Sequence, residues 1–334
     1  MKKIVGIFAA AAVLATSAFA VDVAASAKLS SDLFNFNTKT NAVKVFDTIS
    51  MTNDVDTLKF GVTTDNAGAF FRLRQQEKGT ITQMNIWFKP TDNLKLSFLE
   101  NGRSLESDKI HWWDYYKKVN VDAGYGAEFT ADGLSVALNV IPTFVTISGS
   151  GASPVFGGIG AKIGYGADFG NIAAVVKFSN NWKAIDIGAS YQNNFSGLNL
   201  VINGGVYLED GFSGAQGLVF AGYNADALSI QALSNVYYRS DAKKKADAVD
   251  GNIEVAAIAK IGYQLDGIKL TGFFDCDNLL FKTFARNWTA KDTAAMKIGL
   301  DVEGSVGIAS WKVTPYYNVY ADTAAVAFET SVNY

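Results

Sequence analysis

Apolar and polar residues alternate along most of this chain, and a period of two is typical of β-strands. Within residues 253–265, Ile253 and Val255 lie on one face, whereas Glu254 and Lys260 lie on the other. Similar alternation runs through 94–98, 119–129, 134–140, 185–191, 297–303 and 313–319. Several of these runs exceed the roughly 5–6 residues of an average strand. The sequence therefore predicts an all-β protein with long strands.

Two architectures produce such alternation, and strand length distinguishes them. In a soluble sandwich the apolar faces meet in a core, whereas in a membrane barrel they face lipid and the polar faces line the lumen. A strand that spans a bilayer needs roughly 9–11 residues, which the longer runs provide. Charged residues make up 18% of the chain, below the roughly 25% that is usual in soluble domains. These observations favour the membrane barrel.

The beginning of the chain has the pattern of a secretory signal peptide. Two lysines precede an apolar stretch, 4–15, that is too short to span a bilayer, and Ala-Phe-Ala at 18–20 is a small-x-small cleavage site. We expect a signal peptide at 1–20 and one barrel domain at 21–334; an uncleaved membrane anchor is the alternative. No Pro-, Gly- or Ser-rich seam divides the second segment.

Short and long connections alternate between the predicted strands. The short turns fall at 90–93, 131–133, 170–171, 193–197, 224–227, 265–267 and 305–308, and the long connections at 101–118, 146–156, 240–250 and 277–293. Successive connections of an up-and-down barrel lie at opposite ends, so the short ones share one end. We therefore expect a transmembrane antiparallel up-and-down β-barrel with short periplasmic turns, longer extracellular loops and about 18 strands, or 16. Its first strand is predicted at 21–36 and its last at 326–334, while 37–54 fits either a loop or a further strand pair.

A glycine, often followed by tyrosine and by an acid four positions after the glycine, recurs along the chain. The glycines are Gly124, Gly164, Gly188, Gly222, Gly262 and Gly299. A strand, a turn, a returning strand and a loop fill the spacing between them, so we expect them on every second strand at one height. On the lumen face, glycine removes side-chain bulk and lets the sheet bend as it closes.

Aromatic residues of this repeat are predicted to lie on the lipid face near the periplasmic turns. A ring with an apolar body and a polar tip suits the membrane–water boundary. We interpret as an aromatic girdle the residues Tyr125, Phe129, Tyr165, Phe169, Tyr223 and Tyr263. Ordinary strand packing is the alternative interpretation.

Charged residues of both signs fall on the predicted lumen face. The pore-lining candidates are Arg72, Arg74, Lys95, Asp122, Glu128, Lys162, Asp168, Asp186, Glu254, Lys260, Lys269, Lys297, Asp301, Glu303 and Lys312. A barrel of about 18 strands is wide enough for water, so these charges can stay hydrated, and we expect weak or mixed ion selectivity. The acids of the repeat either make the periplasmic mouth negative or only solvate turns.

One long connection is unusually rich in aromatic residues. It holds the candidate binding residues His111, Trp112, Trp113, Tyr115 and Tyr116. Such a loop could narrow the pore, stack on a sugar or a host surface, or form a packed lid, and the sequence leaves these alternatives open.

The end of the chain alternates apolar residues and finishes on an aromatic residue. Val326, Phe328, Val332 and Tyr334 in this pattern resemble the C-terminal assembly signal of the bacterial outer-membrane β-barrel (porin-like) family. The resemblance implies an outer-membrane location, with outer-membrane lipids and the barrel-assembly machinery as partners. It also implies passive diffusion of small hydrophilic solutes and ions through a water-filled pore, and it allows a homo-trimer.

A weaker similarity links the chain to the major surface porins of spirochaetes. It rests on AKL at 27–29, LF at 33–34 and WFKP at 87–90.

Two other functions stay open. The protein could be a surface adhesin or antigen that acts through its long loops, or a transporter of hydrophobic, fatty-acid-like substrates.

Composition argues against other functional classes. The formal net charge of −3 gives no reason to expect a nucleic-acid partner. With one cysteine, Cys276, and one histidine, the chain has no credible zinc or iron–sulfur site, and we expect no metal or cofactor. No nucleophile lies in a motif with an orienting base, so we expect no enzymatic activity.

Overall fold

The computed structural model describes residues 22–24, 26–52, 58–73, 81–100, 103–104, 120–121, 124–143, 155–179, 183–240, 252–276, 279 and 296–333. The regular secondary structure in these ranges is all β-strand. Among these residues, no helix is both long and apolar enough to cross a membrane. The predicted signal peptide at 1–20 lies outside the described residues.

Strand segments follow one another from the first described residues to the last. The first eleven are β1 (Asp22–Ala24), β2 (Ser26–Asn37), β3 (Ala42–Thr52), β4 (Leu58–Thr63), β5 (Ala67–Leu73), β6 (Ile81–Thr91), β7 (Leu94–Glu100), β8 (Arg103–Ser104), β9 (Asn120–Val121), β10 (Gly124–Ala131) and β11 (Leu134–Thr143). The others are β12 (Val155–Ala167), β13 (Gly170–Ser179), β14 (Ala184–Phe195), β15 (Leu198–Glu209), β16 (Phe212–Ala225), β17 (Leu228–Arg239), β18 (Ile253–Leu265), β19 (Ile268–Cys276), β20 (Met296–Val306), β21 (Ala309–Asn318) and β22 (Thr323–Asn333).

All segments except β8 and β9, which pair with each other, belong to one antiparallel sheet. Each strand from β10 to β22 pairs with the next along the chain, and so do β4 to β7, while β7 pairs with β10. At the ends of the ladder, β22 pairs with β2 and β1 pairs with β4. Only one residue separates β1 from β2, and β3 and β4 pair successively with β2 and β1. If β1 and β2 are counted as one strand, and β3 and β4 as another, the 20 segments of this sheet make 18 antiparallel up-and-down strands, which confirms the predicted β-barrel fold.

The lengths of the connections are sorted between the two ends of the sheet, as predicted. One end has only short turns, at 64–66, 92–93, 132–133, 168–169, 196–197, 226–227, 266–267 and 307–308. The long connections lie at the other end, which also has short ones at 38–41, 210–211 and 319–322. The turn predicted at 170–171 lies two residues earlier, because Gly170 already pairs with Ala167 across the hairpin.

The ambiguous segment 37–54 contains a strand, β3, that forms a hairpin with β2. The side chain of Asn37 ends β2, since its Oδ1 accepts hydrogen bonds of 3.0 Å from the backbone N–H groups of Lys39 and Thr40. The side-chain oxygen thus gives these two N–H groups the acceptor that a neighbouring strand would otherwise provide. The last strand begins at Thr323, three residues before its predicted start.

Several of the two-residue hairpin turns depend on residues with positive φ. Asp132 and Gly133 join β10 to β11 with φ angles of 48° and 80°. A two-residue turn of this kind matches the strand twist and favours Asp-Gly. A Cβ on Gly133 would also collide with the carbonyl oxygen of Gly166, so only glycine fits there.

The two faces of the sheet differ as the alternation predicts. On β15 and β16, Ile202 and Val219 are 43% and 49% exposed, whereas their neighbours Val201 and Leu218 are 0% and 1% exposed. Exposed apolar side chains on other strands include Ile163, Ile187, Ile230, Ile261 and Leu300. A soluble sandwich would bury such residues in its core. Their exposure forms instead the outer apolar surface of a membrane-spanning barrel.

Replacing an outward apolar residue at mid-strand by a charged one tests this orientation. Val219 lies near the middle of β16, and Val219→Arg should lower the free energy of unfolding by about 2–4 kcal/mol, the cost of Arg at a bilayer midplane. Gln231→Arg is the control, because Gln231 shares the inner row of Gly222 and Lys260. Denaturant titration in lipid vesicles measures the free energy of unfolding of both variants. Equal losses in the two variants would contradict the assigned faces.

The first and last hairpins are joined at the end that carries the long connections. The backbone N–H and the Oγ1 of Thr38 both donate to the carbonyl oxygen of Asp322, each at 2.9 Å. The hydroxyl of Tyr317 donates to the Asp322 carboxylate. Hydrogen bonding from Thr38 and then from Tyr317 lowers the pKa of this carboxyl below its usual value. These contacts link the turn at 319–322 to the turn at 38–41.

The lowered pKa of Asp322 predicts an acid-sensitive contribution to stability. A carboxyl with a lowered folded-state pKa stabilises the fold above its usual pKa of about 3.9, and this stabilisation is lost as pH falls through the lower folded pKa. Asp322→Asn should therefore lose less stability than wild type between about pH 5 and pH 2. The measurement is the unfolding midpoint at each pH. An equal loss of stability in Asp322→Asn and wild type over this pH range would contradict the prediction.

Candidate functional site

Inner side chains lie in rows that run across the strands. Neighbouring strands are about 4.8 Å apart, so inner residues in register lie side by side. Lys269 faces Glu303, Glu303 faces Lys312, and Lys312 faces Glu329. We call these four residues the charged row; the sign of the charge alternates along it over β19–β22.

The same wall carries charges of both signs closer to the long connections. Asp275 on β19 faces Lys297 on β20, and the ammonium of Lys297 lies 5.1 Å from the ring centre of Tyr316. The hydroxyl of Thr314 donates a 2.6 Å hydrogen bond to Asp301. Acid and base therefore recur along β20 as well as across it.

Two cavities lie against this wall. One has a volume of about 520 Å³, and its lining includes Lys260, Asp275, Lys297, Asp301, Lys312 and Glu329. The other has a volume of about 460 Å³, and its lining includes Lys269, Glu303, Lys312 and Glu329. Since both cavities include Lys312 and Glu329, they adjoin along the wall.

The remaining described pore-lining candidates are spread around the sheet. Lys95 faces Glu128, Asp186 faces Lys177, and Lys162 lies between Ala137 and Val175. Lys260 lies between Gln231 and Phe273. Opposite charges are thus paired in register on more than one side of the barrel.

Several predicted site residues fall outside the described residues. These are Arg74, Asp122, His111, Trp112, Trp113, Tyr115, Tyr116 and Tyr334. For Arg72 the structure gives the backbone position, opposite Lys59 and Gln83. Of the predicted assembly signal, Val326, Phe328 and Val332 occupy alternate positions of β22.

The glycine repeat does fall on every second strand, from β10 to β20, but its predicted single height is wrong. Gly164, Gly222 and Gly262 lie three residues before the ends of their strands, whereas Gly124, Gly188 and Gly299 lie seven residues before. The acids four positions after these glycines differ in height in the same way. Asp168, Asp226 and Asp266 lie in turns, while Glu128 and Glu303 lie within strands. These acids therefore do not form one ring at the mouth, because the strands continue for different lengths after the glycine.

Glycines on the inner wall make room for neighbouring aromatic rings. The ring of Phe273 reaches within 2.6 Å of the point that a Cβ on Gly299 would occupy, and the ring of Phe220 within 2.8 Å of that point on Gly222. Each ring therefore covers a glycine and lies along the wall. This contact explains Gly222 and Gly299 more specifically than sheet bending does.

The proposed girdle residues are exposed, but they differ in height. Phe129, Tyr165, Tyr223 and Tyr263 each lie two residues before the end of a strand, whereas Tyr125 lies six residues before. The exposed fractions of these five side chains range from 40% to 51%, and that of Phe169 is 54%. Phe169 lies in the turn after β12 and contacts Tyr165, with 6.2 Å between ring centres.

An ion pair that the sequence analysis missed lies on the inner face at the end of β17. Arg239 donates hydrogen bonds of 2.6 Å and 3.0 Å to Glu254, and its guanidinium lies 4.5 Å from the ring centre of Tyr237. The ring of Tyr207 lies 6.1 Å from that of Tyr237. Glu254 was a pore-lining candidate, but Arg239 stands at the boundary of a predicted loop. Continuing the alternation from Tyr237 would have found it.

Alternation also places on the inner wall four charged residues that the sequence analysis did not select, namely Asp32, Lys177, Asp275 and Glu329. One inner row is apolar and consists of Val201, Phe220, Leu233 and Ile258, which face one another in turn. Each is at most 8% exposed. The inner wall therefore has one apolar row on β15–β18 and charges of both signs on β19–β22.

Two solved structures from Pseudomonas aeruginosa are similar to this chain over almost all of its length. OccK10 has a TM-score of 0.52 and 9% identity, and the match covers 94% of this chain and 98% of OccK10. OccK2, solved in complex with glucuronate, has a TM-score of 0.53 and 10% identity, over 94% and 97%. Both are outer-membrane porins. The chain has a porin fold.

No protein-family model matches the sequence, and no curated protein sequence does. The likeness to OccK10 and OccK2 therefore concerns the fold, and the porin fold is supported here by the strand order and by the two faces of the sheet.

The contact between Phe273 and Gly299 predicts a selective loss of stability. A Cβ at position 299 would lie 2.6 Å from the Phe273 ring, 2.7 Å from the carbonyl oxygen of Pro315 and 2.8 Å from the Cβ of Tyr316. Backbone and Cβ atoms cannot move cheaply, so Gly299→Ala should cost about 1–3 kcal/mol. Gly217→Ala, with no atom within 4 Å of its Cβ, should unfold near the wild-type midpoint in a denaturant titration. A Gly299→Ala variant as stable as this control would contradict the prediction.

Proposed function

We propose that the protein is an outer-membrane porin that lets small hydrophilic solutes and ions diffuse passively through its barrel. The observation that carries this proposal is the contrast between the two faces of an 18-stranded barrel. The outer face is apolar, and the inner face of β18–β22 carries charges of both signs beside two cavities. Barrels with more than about 16 strands enclose an aqueous channel unless a plug fills it.

Charges of both signs on the inner face favour weak or mixed ion selectivity. Lys95 with Glu128, Lys177 with Asp186, and Lys269 with Glu303 are opposed in register. Opposite charges about 5 Å apart largely cancel at a distance. A single ion in mid-channel would therefore meet little net attraction or repulsion.

The apolar inner row does not favour the alternative of a hydrophobic-substrate transporter. Val201, Phe220, Leu233 and Ile258 are at most 8% exposed, so they offer little surface to a fatty chain. The adhesin alternative rests on long loops whose candidate residues, such as Trp112 and Tyr115, lie outside the described residues. Passive diffusion is therefore the function that the described residues support best.

Further parts of the proposal follow from the resemblance of the last strand and from the start of the chain. We infer export with a signal peptide at 1–20, a single barrel domain at 21–334, and insertion into outer-membrane lipid by the barrel-assembly machinery. A homo-trimer and the absence of enzymatic activity belong to the same proposal. Val326, Phe328 and Val332 would carry the assembly signal together with Tyr334.

Conductance in a planar lipid bilayer tests the proposed function. Purified protein refolded in detergent should insert and give stepwise increases in current, because the channel contains water and ions. In a salt gradient the reversal potential should stay well below the limit for a perfectly selective channel, since both signs line the wall. Boiled protein is the control. Folded, inserted protein without current would overturn the proposal, and strict exclusion of one ion sign would overturn the selectivity.

A further inference from the structure

Charges of both signs lie close together in two directions on the inner wall of β19–β22. Across the strands, the charged row runs Lys269, Glu303, Lys312, Glu329. Along β20, the base Lys297 is followed by the acids Asp301 and Glu303, over a length of about 20 Å at 3.3 Å per residue. The wall therefore presents pairs of opposite charges and no uniform field.

The two cavities lie beside these pairs and share Lys312 and Glu329. A solute that leaves the larger cavity can therefore pass directly into the smaller one while it stays beside charges of both signs. Glu303, Lys312 and Glu329 are only partly buried, so solvent and small solutes can reach them. The larger cavity, about 520 Å³, lies within the range of volumes that hold small organic ligands, about 300–1,000 Å³.

Such a wall treats different classes of solute differently. A singly charged ion near one member of the row is attracted by that residue and repelled by the next, which lies about 5 Å away. A zwitterion can place its ammonium near an acid and its carboxylate near the adjacent base. Exposed ion pairs are weak, so the side chains can exchange partners with a passing solute. An uncharged solute gains neither contact.

We propose that this wall favours small zwitterions, above all free α-amino acids, over uncharged and singly charged solutes of the same size. The inference rests on the proposed diffusion function and names the class of solute that this channel carries best. Lys269, Glu303, Lys312 and Glu329 are the residues that determine this preference.

Swelling of protein-containing liposomes measures the preference without any variant. Threonine, a zwitterion, is compared with erythritol, which is uncharged, and with 3-hydroxybutyrate, which is an anion; each has four carbon atoms. Vesicles without protein give the leak to be subtracted. Because exposed ionic contacts are weak, threonine should enter roughly threefold faster than either of the other solutes. Equal rates for threonine and erythritol would overturn the inference.

A double variant then tests whether the charged row is responsible. Glu303→Gln with Lys312→Gln removes one acid and one base, so the net charge does not change. The ratio of threonine to erythritol entry should fall to about one. Lys183→Gln with Asp210→Asn is the matched control, because it removes the same charges from exposed residues at the ends of strands, and it should keep the wild-type ratio.

Erythritol entry shows that a variant has folded and opened a channel. If Glu303→Gln with Lys312→Gln fails to fold, Lys269→Gln with Glu329→Gln repeats the test. An unchanged ratio in the charged-row variants, or an equal fall in the control, would overturn the inference. Wild-type vesicles that admit none of the three solutes would overturn the proposed diffusion function itself, whereas entry of all three at one rate would overturn only the zwitterion preference.

Discussion

Pairing of backbone hydrogen-bond groups is the constraint on which the rest of this structure depends. Inside a bilayer no water is available to the backbone N–H and C=O groups, so a sheet that spans it must leave no free edge. The first strand meets this requirement, because its two segments pair with β22 and with β3 and β4. The outer apolar face and the polar inner face both follow from this arrangement, since every strand has one side toward each environment.

The inner wall must combine large side chains with an open interior. Glycine solves this problem locally: the rings of Phe220 and Phe273 lie over Gly222 and Gly299 and remain close to the sheet. Charged side chains raise a second problem, the repulsion between like charges. Lys269, Glu303 and their neighbours in register avoid it because their charges alternate in sign. The result is a charged row whose formal charges sum to zero.

Alternation, connection lengths and the glycine spacing are enough to predict the barrel, its strand number and its two faces. Alternation marks the two faces of each strand, and the connections mark where one strand ends and the next begins. Heights along the barrel could not be predicted. The repeat places Gly164 and Gly188 at different distances from their turns, and strand ends depend on local turn contacts such as the side chain of Asn37. The ion pair of Arg239 with Glu254 was also missed. Alternation places Arg239 on the inner face, but it does not give the register that brings Arg239 beside Glu254.

The pairing of β2 with β22 has a consequence for how the chain reaches its final form. Ser26 is in register with Asn333, so the contact that completes the ladder joins residues from opposite ends of the polypeptide. Contacts between such distant residues are slow to form, and until they do, both terminal strands expose unpaired edges that invite aggregation. Loss of the last strand would therefore leave one edge of the first strand permanently unpaired.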